Sequence, residues 1–328
     1  MQTREIGNSG IEASVIGLGT WAMGGWMWGG TDEKASIDAI HASLDHGVSL
    51  VDTAPAYGLG VSEEIVGKAI KGRRDKVVLA TKCGLVWHTS KGNHFFDENG
   101  KPVHRYLGAD AIQHEVEQSL KRLQTDYLDL YITHWQDPTT PIAETMEALL
   151  ALKKAGKIRA IGISNANQAE LEQYQQTGVV DAVQEKYNLI ERQLEQTLLP
   201  STIKTNVACL SYSSLAMGLL SGKITPERVF TGDDQRITDP MFTIENRRWV
   251  QKFCQSIEPI ARQKNVSVAQ LVIAATLQQP GITYALCGAR NAAQALENAA
   301  AGSVVLSQEE VKFIDAKSHE FFGELELA

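Results

Sequence analysis

Nowhere in the 328-residue chain do about 18 apolar residues run together, which excludes a membrane-spanning helix by hydropathy. Cysteine is scarce: Cys83, Cys209, Cys254 and Cys287 are far apart and form no CxxC pair. That spacing suggests neither a disulfide framework nor a zinc site; the four are expected to be reduced core residues, and no metal is expected. Positive charge is also in deficit, with 31 Lys and Arg against 39 Asp and Glu for a formal net charge of −8. The resulting field repels nucleic acid and acidic membranes, so neither is an expected partner and an anionic ligand must be met locally. The opening Met1-Gln-Thr-Arg-Glu-Ile-Gly has no apolar core of a secretion signal, and a cytoplasmic location is expected. Nor does a GxGxxG fingerprint follow an early strand, so a nucleotide cofactor would have to be held without a Rossmann unit.

What the chain does have is eight short apolar runs, at 15–19, 48–52, 76–80, 127–132, 160–164, 182–184, 208–211 and 283–287. They are continuous and not alternating, as parallel strands buried on both faces should be. Amphipathic segments at 33–46, 112–123, 145–154 and 168–176 lie between them, the first opened by Thr31-Asp32, and three closed by Gly47, Gly156 and Gly178. Eight strands alternating with helices, with no linker, predict an α/β fold of the (β/α)₈ TIM-barrel type and one unit over residues 1–328, with a tail from about residue 303. Two stretches without a clean period, 84–110 after strand 3 and 213–243 after strand 7, are long enough to act as lids at the C-terminal rim where barrel sites lie. A monomer is expected.

Polar residues follow three consecutive strands. Asp52 ends strand 2 and Tyr57 follows in Asp52-Thr-Ala-Pro-Ala-Tyr57-Gly58; Lys82 comes just after strand 3, and His134 after strand 4. Singly, each has a plainer role as a cap, a packed ring or a solvated rim group. Together on one rim they make a proton-transfer group: Lys82 lowers the pKa of the Tyr57 phenol, Asp52 keeps Lys82 charged, and His134 adds a hydrogen bond to the oxygen that Tyr57 protonates. This suits reduction of a carbonyl, where negative charge develops on oxygen.

Gly17-Leu-Gly-Thr-Trp21, Asp52-Thr-Ala-Pro-Ala-Tyr-Gly58, the run from Leu120 to Tyr131, Ile161-Gly-Ile-Ser-Asn165 and Gly288-Ala-Arg290 with Glu297-Asn298 together resemble the aldo-keto reductases over essentially the whole chain. Gly24-Gly-Trp-Met-Trp-Gly-Gly30 and Gly232-Asp-Asp-Gln-Arg236 resemble its bacterial general-stress type most. The resemblance implies an NADPH-dependent reductase of small aldehydes, with ketones a further class. Tyr57 would be the proton donor, supported by Asp52, Lys82 and His134. Thr20, Trp21 and Asp52 would contact the cofactor, Ser164, Asn165 and Gln184 would bond its nicotinamide carboxamide, and Tyr212 would stack on the nicotinamide ring. Ser213, Leu215 and Lys223 would meet the pyrophosphate with Arg236 folded over it. Gly288 and Arg290, at a helix N-terminus, would take the 2′-phosphate, with Gln294 and Asn298 on the adenine.

Trp21, Trp87 and Trp135, with Trp26 or Trp28, are expected to wall the substrate pocket. Leu286-Cys287, where many members have Ile-Pro, and Glu185-Lys186 depart from the family pattern away from the four central residues. Two other readings compete: an NADPH-binding regulatory subunit that turns over slowly, like the potassium-channel β-subunits, and a Schiff-base aldolase built on Lys82.

Overall fold

The chain opens with a hairpin that the strand pattern did not announce, β1 (Thr3–Glu5) antiparallel to β2 (Glu12–Ser14). In the computed structural model, which describes residues 1–323, the next strands are β3 (Ile16–Gly19), β4 (Leu50–Asp52) and β5 (Val78–Cys83). The segment after β5 is not structureless: β6 (Leu85–Val86), β7 (Asn93–Glu98) and β8 (Lys101–Arg105) form a separate antiparallel sheet. Five more strands follow, β9 (Leu128–Thr133), β10 (Ile158–Ser164), β11 (Ala182–Lys186), β12 (Ala208–Tyr212) and β13 (Tyr284–Gly288). The eight parallel strands close in the order β10-β11-β12-β13-β3-β4-β5-β9, a (β/α)₈ barrel as expected.

Helices α1 (Glu33–Asp45), α2 (Val61–Ile70), α3 (Ala109–Leu123), α4 (Ile142–Lys154), α5 (Gln168–Thr177) and α6 (Leu199–Thr205) each follow a barrel strand. Asp32 caps α1 by accepting from the Ala35 N–H, and Asn167 with Glu170 forms a capping box at α5. Between β12 and β13 stand α7 (Ile244–Gln263) and α8 (Val268–Leu277), then α9 (Ala292–Ala301) follows β13. The expected tail is itself α10 (Gln308–Phe322), packed against α7. The segment 213–243 is irregular, as its composition implied, with only 3₁₀ turns. The last five residues of the expected 1–328 unit lie outside the described ones. No described helix is long and apolar enough to cross a membrane.

Strand alternation sorts the core into two layers. Val51, Leu79, Tyr131, Ile161 and Val183 point outward onto the helices, whereas Leu50, Ala80, Leu130, Ile132, Ala160, Ala182, Leu210, Tyr284 and Leu286 fill the barrel. Ile6, Ile11 and Ala13, on or beside the hairpin, join the inner layer and plug the N-terminal end. Gly17 gives room there, since a Cβ would lie 2.5 Å from Leu286, and Gly162 sits close under Ile132, where a Cβ would lie at 3.0 Å.

Candidate active site

The same alternation places the site. Stepping two residues beyond the inner layer gives Asp52 after Leu50, Lys82 after Ala80, His134 after Ile132, Ser164 after Gly162, Gln184 after Ala182, Tyr212 after Leu210 and Gly288 after Leu286. Six of these seven inward faces therefore turn from apolar to polar at one level, the C-terminal rim, and the seventh ends in Gly288. Lys82 and Gln184 belong to their strands, β5 running to Cys83 and β11 to Lys186, where shorter strands were expected.

Lys82, with no exposed surface, uses every donor of its ammonium. Nζ lies 2.9 Å from both Asp52 carboxylate oxygens, 2.9 Å from the Thr53 carbonyl and 3.1 Å from the Tyr57 hydroxyl oxygen. Asp52 Oδ1 also accepts from Gln184 Nε2 at 2.8 Å. The Tyr57 oxygen thus accepts from Lys82, and its own hydrogen meets no acceptor among the described residues. The His134 ring stands edge-on to Tyr57 with centroids 5.7 Å apart; its backbone is fixed by the Cys83 carbonyl at 2.8 Å, and its ring nitrogens bond to no described residue. Two free donors, a phenol and an imidazole, share one side of the rim.

The titration of this group differs from the lowered phenol expected from Lys82. Burial, and behind it the Asp52 charge, pushes Tyr57 well above the usual phenol value. Desolvation depresses Lys82, with Asp52 opposing that loss. Burial and the Lys82 charge hold His134 well below its ordinary range, so its ring is neutral. Tyr57 therefore retains its proton through neutrality.

Several expected cofactor contacts are committed to one another. Thr20 is fully buried, donating to the Asp52 carbonyl at 2.9 Å and accepting from Ser62 Oγ at 2.7 Å, so its hydroxyl steadies β4. Ser164 donates to the Gln184 carbonyl at 2.6 Å, and Asn165, left-handed at φ 53°, donates to the His134 carbonyl at 2.8 Å. Asn165 Oδ1 accepts from the Tyr212 hydroxyl at 2.7 Å, which holds that ring by its edge and leaves its faces to stack.

Beyond Tyr212, Ser213, Ala216, Met217 and Gly218 all take positive φ, a strained run of the kind that gathers at ligand clamps. Leu215 is half-buried and packs onto the core. Lys223 pairs with Glu297 at 2.6 Å, Arg236 takes a bidentate grip on Asp234 at 2.9 and 2.6 Å, and Arg290 reaches the Gly30 carbonyl at 3.4 Å. Gln294 Oε1 accepts from the Arg290 N–H at 2.8 Å, and Asn298 donates to the Gly288 carbonyl at 3.0 Å.

A latch missed in the sequence joins the loops after β3 and β12. The Asp233 carboxylate accepts from the Met27 N–H at 3.0 Å and the Gly29 N–H at 2.8 Å, and Gln235 N–H donates to the Met27 carbonyl at 3.1 Å. Arg236 lies over the Trp28 ring, Trp28 meets Trp21 edge-on, and Trp21 stacks on Tyr57 at 6.2 Å. Two donors here, Trp28 Nε1 and Gln235 Nε2, are buried without an acceptor. Unmet donors beside paired cations fit an acceptor-rich group such as a dinucleotide.

The β6–β8 sheet roofs the other side. Phe96 stacks on Trp26 at 4.9 Å and packs with Ala56, Leu59, Leu85, Trp87, Val103 and Trp135. Trp87 and Trp135 thus meet in one cluster beside the Tyr57 loop, while Trp21 stands on Tyr57 itself. The four cysteines are buried and free, and no metal-binding cluster occurs among the described residues.

Residues 15–319 match the Aldo/keto reductase family. The chain is 48% identical to the Aldo-keto reductase YhdN of Bacillus subtilis, over 90% of this chain and 86% of that one. It is 39% identical to the NADH-specific methylglyoxal reductase of Escherichia coli, over 94% and 95% of the two chains. Its fold superposes with TM-score 0.88 on the glycerol dehydrogenase AKR11B4 from Gluconobacter oxydans, at 36% identity, covering 98% of this chain and 96% of the other.

Proposed function

The chain belongs to the aldo/keto reductase family, and from that premise we propose that it is an NADPH-dependent reductase of small aldehydes, with ketones a further class, in which Tyr57 supplies the proton. The observation that carries this reading is the Tyr57 hydroxyl, which accepts from Lys82 at 3.1 Å while its own hydrogen is unclaimed. When bound, NADPH supplies the hydride to the carbonyl carbon. Tyr57 gives its proton to the oxygen as charge gathers there, and the Lys82 ammonium stabilises the phenolate left behind. The neutral His134 ring donates to the same oxygen and orients it. Asp52 keeps Lys82 protonated against the cost of burial.

The cofactor would rest with its carboxamide at Ser164, Asn165 and Gln184 and its ring on Tyr212. Its pyrophosphate would lie along Ser213, the Leu215 backbone and Lys223 with Arg236 above, and its adenine at Gln294 and Asn298. Choice of NADPH over NADH rests on Arg290, an exposed guanidinium beside the α9 N-terminus whose one bond, to Gly30, is long enough to exchange for a phosphate. The Escherichia coli relative is named for NADH, so this choice is a property to measure in each chain.

Tyr57→Phe tests the reading. It should lower aldehyde-dependent NADPH oxidation by about a thousandfold while leaving NADPH binding close to wild type. Unchanged turnover would remove Tyr57 from the mechanism.

A further inference from the structure

Arg105 occupies an unusual position on the roof. It lies on β8 opposite Leu85 and two residues from Val103, both buried in the roof cluster, which places it on the barrel-facing side of the sheet. Its guanidinium carbon is 5.1 Å from the Phe95 ring centre, and Phe95 is 5.2 Å from Trp135, the neighbour of His134. Among the described residues its guanidinium reaches no acceptor, and its Nε is buried without one. Arg228 and Arg248 also lack acceptors, but both are exposed to water. On the cofactor side, Lys223, Arg236 and Arg290 all have partners. Glu98 shares the barrel-facing side of the roof but sits at the far end of the hairpin, beyond the Phe96–Val103 pair, and does not pair with Arg105. The buried Nε left without an acceptor carries a desolvation cost, and an anion on the guanidinium would supply that acceptor.

We propose that Arg105 is an anion subsite of the substrate mouth, and that the protein reduces aldehydes carrying a carboxylate or phosphate several bonds from the carbonyl. This rests on the reductase reading above. Two rings, Trp135 and Phe95, separate His134 from the guanidinium, so the anion cannot adjoin the carbonyl and an α-oxo acid is too short. Arg105 touches the remote end of the substrate and takes no part in proton transfer, so its effect should fall on KM.

The test compares two pairs of probes, succinic semialdehyde with butanal and glyceraldehyde phosphate with glyceraldehyde, in the wild type, Arg105→Met and Arg105→Lys. The wild type should favour at least one anionic member by about tenfold to a hundredfold in kcat/KM, mostly through KM. Arg105→Met should bring that ratio to within about twofold while leaving the neutral member unchanged, and Arg105→Lys should keep part of the preference. The pair that responds identifies carboxylate or phosphate. A wild type that treats both pairs alike, or an Arg105→Met enzyme impaired equally on charged and neutral members, overturns the subsite and leaves the reductase reading intact. If none of the four probes is turned over, the reductase reading falls and the subsite with it.

Discussion

The floor and the roof of the site obey opposite rules. On the floor, at the barrel rim, Asp52, Lys82, Ser164, Asn165, Gln184 and Tyr212 are bonded to one another, and the donors on Tyr57 and His134 are left over. On the roof, Glu98, His104 and Arg105 each bury polar atoms with no partner. A folded protein rarely leaves such groups unmet. On the proposed reading this is a division of labour: the floor would be preorganised for one proton transfer, and Arg105, on the barrel-facing side of the roof, would be completed by what binds beneath it. Floor substitutions should therefore impair every substrate alike, and roof substitutions should alter which substrates are preferred and how the loops hold.

Asp52→Asn should show the largest effect of this contrast. It removes the charge that opposes Lys82 desolvation, so the ammonium, already depressed, loses its proton at still lower pH. Because Tyr57 is raised and Lys82 lowered, the alkaline limb of kcat/KM in the wild type belongs to Lys82. In Asp52→Asn that limb should move to lower pH and the rate at neutrality should fall by about a hundredfold for every carbonyl substrate. A limb that stays in place would separate Asp52 from the proton donor.

Arg290→Ala comes next. It should weaken NADPH about tenfold or more while changing NADH little, since only the former carries the 2′-phosphate. Equal effects on both would end the assignment of Arg290. Asp233→Ala, which unfastens the loop of residues 213–243 from Met27 and Gly29, should speed NADPH dissociation severalfold in stopped flow with little change in the chemical step. An unaltered dissociation rate would mean that the latch does not govern release.

The smallest effect belongs to Glu98. Burial alone raises its carboxyl to about 7 from an ordinary 4.5, so the folded protein binds this proton more tightly than the unfolded chain. Its contribution to stability is complete below about 4.5, declines as pH rises to about 7 and is level above that. Glu98→Gln should flatten the fall in unfolding free energy across this window, read as a smaller drop in Tm between about pH 4.5 and about pH 7. An unchanged slope would indicate that Glu98 finds a partner in solution.

The floor was legible in the sequence because a barrel strand has a two-residue period. Once 48–52 and 127–132 are read as strands, Asp52 and His134 must fall at their ends, and the charge logic of the group follows. The direction of the Tyr57 shift was not legible, because burial and the Asp52 charge act on it more strongly than Lys82 does. The roof was missed for a local reason. Asn99-Gly100 is a hairpin signal, and both residues take positive φ (52° and 73°) in the turn between β7 and β8, but the flanking strands carry His, Asp, Glu and Lys in place of an apolar alternation. Asp233 stands in one of the motifs that carry the resemblance, Gly232 to Arg236, but nothing in the sequence pairs it with its partners, backbone N–H groups about 200 positions away.

A time course of NADPH oxidation by the wild type with excess succinic semialdehyde or glyceraldehyde, with the alcohol product counted against the enzyme, decides whether the protein is a reductase. Steady oxidation over many turnovers, with one alcohol formed per NADPH consumed, is the expected result. A single burst of one cofactor per site, followed by no further turnover, would contradict it and favour a cofactor-binding regulatory protein.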